Sequence, residues 1–115
     1  MRVELRLGGL IDVDGRSLPL GRTFALLDGL AEGGSMRRAA ERLEEPEDAA
    51  QERAAELGRV LGKPVVIVTD AGGAVLTPFG SALRDALART LAAFAPLVEA
   101  ETRRLEERLA ALTDT

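Results

Sequence analysis

The chain contains no cysteine and no histidine. Without cysteine it can form no disulfide and no thiolate metal site. Without histidine, general-base chemistry near neutral pH falls to a carboxylate or to the lone lysine, Lys63. Ser17, Ser35 and Ser81 have no imidazole to activate them. The pair Gly72-Gly73 is followed by no lysine at phosphate-loop spacing, so it reads as a tight turn. Long apolar runs are also missing, and no basic-then-apolar leader opens the sequence. These absences predict a soluble cytoplasmic protein that is not an enzyme, with no catalytic residues, no metal, no cofactor and no membrane partner. A length of 115 residues suits one domain with a protruding element.

Charge is present but unevenly placed. All but one of the 15 basic residues are arginine, a side chain suited to phosphate contacts. Residues 21–43 carry net +1, with Arg22, Arg37, Arg38 and Arg42 prominent. Residues 44–63 carry net −3, from Glu44, Glu45, Glu47, Asp48, Glu52 and Glu56 against Arg53, Arg59 and Lys63. Most of the formal −4 therefore lies in one helix and its lead-in.

Hydrophobic spacing supplies the architecture. Arg2 to Leu7 alternates charged and apolar residues, as a half-buried strand does. Leu10 to Val13 can form a second strand, and Asp14-Gly15 is a strong turn signal. Phe24, Leu27 and Ala31 recur at helical spacing across Arg22 to Ala31. Gly33-Gly34 ends that helix and Ser35 caps the next, Met36 to Leu43, with Met36, Ala39, Ala40 and Leu43 inward. Small residues on that side allow a second helix to cross closely. Pro46 fits the first turn of a third helix. There Ala50, Ala54, Leu57 and Leu61 form the inward stripe, opposite Asp48, Glu52, Ala55 and Arg59. Val65 to Thr69, a turn at Asp70 to Gly73, and Ala74 to Leu76 make a short hairpin. Thr77-Pro78 then starts a long helix. Its seam runs through Leu83, Leu87, Leu91, Phe94, Val98, Leu105 and Leu112, with Glu101 interposed. Pro96 should kink or break it near Ala95.

The fold class is α+β, mainly α: a winged helix-turn-helix with N-terminal strands and a long C-terminal dimerisation helix. Residues 1–77 form the winged domain and 78–115 the helical arm. Leu105, Leu109 and Leu112 lie roughly 25 Å or more beyond the part of the arm that can reach the core, at about 1.5 Å per residue. A second copy is the economical cover, so Leu91, Phe94, Val98, Leu105, Leu109 and Leu112 are candidate homodimer contacts. Candidate contacts to double-stranded DNA are Arg37, Arg38 and Arg42 for phosphates, Arg53 and Arg59 on helix three, and Gln51 for base edges. The acidic third helix leaves a second reading open, a winged-helix adaptor that docks a basic protein.

Leu26-Leu27, Gly34-Ser35-Met36, Ala39-Ala40 and Gly72-Gly73-Ala74-Val75-Leu76-Thr77-Pro78-Phe79-Gly80 together resemble the N-terminal domain of ModE-type molybdate-responsive regulators. More distantly they resemble LysR-type regulators. The resemblance spans roughly residues 2–95. It implies a dimeric winged-helix transcriptional regulator with helix three in the major groove. Where that family has Ser-Tyr-Lys/Arg-x-Ala-Trp, this chain has Glu45-Pro46-Glu47-Asp48-Ala49-Ala50. The wing is shortened to Ala71-Gly72-Gly73. No molybdate-binding domain is expected, because the sequence ends with the long helix.

Overall fold

In the computed structural model, residues 2–6 and 8–114 are described. The order is a hairpin, three helices, a second hairpin and a long helix. Strands β1 (Leu10–Val13) and β2 (Arg16–Pro19) pair antiparallel, Leu10 opposite Pro19. Their turn places Asp14 at φ 49° and Gly15 at φ 81°. Two successive left-handed residues match the twist of the flanking strands, which is why Asp-Gly suits this loop.

Helix α1 (Leu20–Gly33) begins two residues before the periodic segment, just after Pro19, and the Leu20 N–H donates to the Gly9 carbonyl at 2.9 Å. Its buried face is Leu20, Thr23, Leu26, Leu27 and Leu30. Gly34 ends it at φ 63°, donating to the Leu30 carbonyl. A residue with a Cβ would be strained there. Ser35 caps helix α2 (Met36–Leu43), its hydroxyl accepting from the Arg38 N–H at 3.2 Å. The close crossing occurs between Gly29 and Ala39: a Cβ on Gly29 would lie 2.8 Å from the Ala39 Cα.

Helix α2 ends at Glu44, a non-glycine residue at φ 55°. Helix α3 (Glu47–Leu61) follows, with Pro46 as its N-cap rather than inside the first turn. Ala50, Ala54 and Leu57 are buried and Leu61 packs against them. Asp48, Glu52, Ala55 and Arg59 are exposed, as the spacing predicts.

Strands β3 (Val66–Val68) and β4 (Ala74–Leu76) form the wing. The Ala74 N–H donates to the Gly34 carbonyl at 3.0 Å, tying the wing to the turn before α2. Helix α4 (Pro78–Thr113) starts from a latch. Thr77 donates its N–H to the Val65 carbonyl and its hydroxyl to the Pro64 carbonyl, while that hydroxyl accepts from the Gly80 N–H. A Cβ on Gly80 would lie 2.1 Å from the Val65 carbonyl oxygen. The Thr-Pro-Phe-Gly run therefore has a packing explanation. Phe79, Leu83, Leu87 and Leu91 continue the core formed by α1 to α3.

Two sequence expectations are corrected. Residues 2–6 belong to no strand, and Leu7 lies outside the described residues. The 2–6 segment instead lies beside α4, where the Val3 N–H donates to Glu106 Oε1 at 3.0 Å. Alternation gives a segment an apolar side, but a strand also needs a ladder partner. Second, of the kink or break expected at Pro96 the break is absent: α4 runs through it without interruption. Proline removes one donor and leaves the Ala92 carbonyl without its helical partner. Both Ala92 and Pro96 are exposed, so water can satisfy that carbonyl.

Candidate nucleic-acid interface

Winged domains approach DNA with the second helix of the helix-turn-helix and with the wing. The candidate surface is thus the exposed side of α3, the start of α2 and the β3–β4 hairpin. Gln51 and Arg59 lie on one side of a cleft of about 500 Å³ between α3 and β3, with Val66 and Val68 opposite. Lys63 also lines it, its ammonium 5.7 Å from the centre of the Phe79 ring. The sequence marks Lys63 as the lone lysine but gives it no place at this cleft. Its place follows from the short link between α3 and the wing.

The candidate arginines divide into two groups. Arg42 and Arg53 are held by half-buried carboxylates. Asp28, on α1, accepts from Arg42 at 2.6 Å and from Arg84 Nε at 2.9 Å. One carboxylate thereby joins α1, α2 and α4. Burial pushes the Asp28 carboxyl up, but the bonds from Arg84 and Arg42 outweigh it and hold it below its ordinary value. Glu45, in the turn between α2 and α3, accepts from Arg53 Nε at 2.8 Å and also from Arg22. The Arg53 bond is the main reason its carboxyl falls to about 2. Arg22 also donates to the Leu43 carbonyl at 3.2 Å, fixing the end of α2.

Arg37, Arg38 and Arg59 form the second group. Arg37 pairs with Glu41 at 3.5 Å and its side chain is 81% exposed. Arg38 meets Glu32 at 3.5 Å and Glu41 at 3.7 Å. Arg59 meets Glu52 at 2.9 Å. Exposed pairs of this kind are worth about 0–1 kcal/mol, so a phosphate can displace the carboxylate. Arg42 and Arg53 each bond a carboxylate that is half-buried, whereas Arg37, Arg38 and Arg59 bond exposed ones.

The wing departs most from a DNA-contacting surface. Residues 66–76 include no cation, and Asp70 sits in the turn. Its outer side presents Ile67, 57% exposed, across from Val75, 53% exposed.

On the arm, Leu91 packs against the domain's own core, while Val98, Leu105 and Leu109 are half-buried. Phe94 and Leu112 are exposed. Leu97, also exposed, lies off the seam and was not among the expected contacts. Its signal in the sequence is the three-residue step from Phe94, which branches from the seam that continues to Val98.

No protein-family model and no curated protein matches the sequence. Solved structures do match. The BenM DNA-binding domain in complex with benA site 1 DNA aligns with a TM-score of 0.63 at 17% identity, over 75% of this chain and 98% of that one. The CbnR DNA-binding domain–DNA complex gives 0.56 at 23% identity, over 83% and 99%. ArgP from Mycobacterium tuberculosis gives 0.54 at 28% identity, over 76% of this chain but 30% of ArgP. The chain thus spans nearly all of two isolated DNA-binding domains and under a third of ArgP. Its fold is a winged helix-turn-helix, shared with these DNA-binding domains.

Proposed function

We propose that the protein is a cytoplasmic, homodimeric, DNA-binding transcriptional regulator of the ModE N-terminal type. In this reading residues 1–77 contact DNA and 78–115 form the dimerising arm. The observation that carries it is likeness over nearly the full length of two domains solved on DNA. The ModE assignment rests on the Gly-Gly-Ala-Val-Leu-Thr-Pro-Phe-Gly run at residues 72–80. Arg37, Arg38 and Arg59 exchange their carboxylate partners for phosphates, and Gln51 faces base edges. Arg42 and Arg53 hold α2 and α3 at the required angle.

A band shift tests this. Three phosphate contacts give an affinity that falls about 40-fold between about 50 and about 200 mM salt. Arg37→Ala with Arg38→Ala should lower the salt slope by about 2 and leave folding intact. Asp48→Lys with Glu52→Lys should raise non-specific affinity, because two repelling carboxylates leave the DNA face. No shift at about 50 mM salt, together with an indifferent arginine pair, overturns the reading. The second reading, an adaptor for a basic protein, is favoured by the acidic start of α3 and the cation-free wing. In that case the Asp48 and Glu52 changes abolish the complex by like-charge repulsion.

A further inference from the structure

The cleft between α3 and β3 combines an apolar body with one sign of charge. Met36, Ala54 and Val65 line it and are buried, and Ala55 and Val68 line it and are exposed. The end near Lys63 is tightly closed. The chain turns back at Gly62, φ 82°, and a Cβ on Gly58 would lie 3.2 Å from the Lys63 carbonyl oxygen. The polar side chains on the cleft are Gln51, Arg59 and Lys63; no carboxylate is among its described lining residues. Residues 44–63 carry net −3, so the cleft reverses the sign of the helix that forms it. Arg59 bonds the exposed Glu52, a pair that a competing anion can displace at small cost. Lys63 makes no ion pair among the described residues, and its ammonium lies over the Phe79 ring instead.

We infer that this cleft binds a small free monocarboxylate with an alkyl body. Its volume of about 500 Å³ suits a small-molecule site, which is mostly apolar with a few placed polar groups. Arg59 and Lys63 both belong to the C-terminal end of α3, whereas Gln51 lies eight residues before Arg59, roughly 12 Å along the axis. The anionic head is therefore matched at one end, and the alkyl chain runs from there along Ala55 and Val66. A helix C-terminus itself carries partial negative charge, so the two side-chain cations supply the attraction and the backbone does not. One unpaired cation and one exchangeable cation over an apolar floor fit a single negative charge. A duplex brings charge without an apolar body to cover Val66 and Val68. Gln51 and Arg59 also belong to the face proposed for DNA, so an occupied cleft withholds both from a duplex.

Octanoate is the probe, titrated into the full chain while the methyl groups of methionine, valine and leucine are followed by NMR. Saturable shifts are expected at Met36, Val66 and Val68. Octanoate should bind at least about tenfold more tightly than octan-1-ol or octylammonium, the factor expected of hydrogen bonds to a charged group. Lys63→Gln should weaken octanoate about tenfold and leave octan-1-ol unchanged. Ala55→Phe, on an exposed wall, should fill the cleft and block octanoate with the circular dichroism spectrum retained. Equal affinity for octanoate and octan-1-ol overturns the inference, as does an equal loss of both in Lys63→Gln. Shifts at Leu10 and Leu87, in the apolar crevice beside the β1–β2 hairpin, in place of the cleft methyls also overturn it. So does the absence of any saturable shift up to about 10 mM, the range of the weakest specific sites. No DNA is present in the titration, so its failure leaves the DNA reading standing and the failure of that reading leaves the cleft to be judged by octanoate alone.

Discussion

The two halves of α4 share one pattern and differ in what covers it. Gly80, Leu83, Leu87 and Leu91 enter the core built by α1 to α3, and Gly80 touches the Val65 backbone. Val98, Leu105 and Leu109 continue the same three-four spacing and are half-buried, with the 2–6 segment beside Val98. Val3 and Leu5 line a shallow crevice with Val98 and Thr102. Periodicity therefore reveals that a face is apolar and says nothing about its partner. The proximal half is locked by tertiary contacts. The distal half has the same chemistry with fewer of them.

The largest test of this difference is at the latch. Gly80→Leu would drive a side chain into the Val65 carbonyl, which is backbone and cannot swing away. Destabilisation of about 3 kcal/mol or more is expected, measured by urea unfolding. A midpoint within error of the unaltered protein would show that α4 is not seated as described.

Next comes a matched pair of leucines. Leu87→Ala, in the core, should lose about 2–5 kcal/mol. Leu109→Ala, half-buried on the distal half, should lose under about 1 kcal/mol at concentrations where the chain is monomeric. Equal losses would erase the contrast between the two halves. Leu57→Ala on α3 belongs with the core case and should also lose about 2–5 kcal/mol.

A smaller effect concerns acid. Asp28 ties the proximal half of α4 to α1, and its carboxyl is held below its ordinary value. Glu45 behaves likewise at the α2–α3 turn, near 2. A depressed carboxylate stabilises the fold fully above its unfolded value. That stabilisation is lost as pH falls through the folded value. Stability should therefore decline from about pH 4.5 down toward about pH 2. Asp28→Asn and Glu45→Gln should each flatten part of that decline, as seen in thermal melts at stepped pH. A decline unchanged in the double variant would assign acid sensitivity to other carboxylates.

What the sequence disclosed was local. Met36–Leu43, the Ser35 cap, the Asp14-Gly15 turn and the inward stripe of α3 all follow from neighbours within four residues, and all stand. What it concealed was pairing at a distance. Asp28 and Arg84 are 56 residues apart, and no spacing rule links them. The carboxylate partners of Arg42 and Arg53 sit on another element and in a turn, at separations that no helical spacing predicts. The 2–6 segment looked like a strand because alternation does not distinguish a ladder from a groove. The position of Lys63 beside Phe79 and the α3–β3 cleft is hidden for a related reason: it depends on what lies beside it in space.

The smallest effect probes the segment that covers the distal half. Val3→Ser with Leu5→Ser removes apolar contacts from the crevice beside Val98 and Thr102. Leu5 is already 37% exposed, so only part of its surface is at stake. A loss of under about 1 kcal/mol in global stability is expected. The local signature should be clearer than the global one. Amide exchange at residues 98–109 should accelerate, because those amides open by local unfolding once their cover is thinned. Exchange at residues 80–91 should not change, since the core contacts there do not involve the segment. Acceleration shared by both stretches would mean that α4 opens as one unit. The contrast between its halves would then be one of exposure alone.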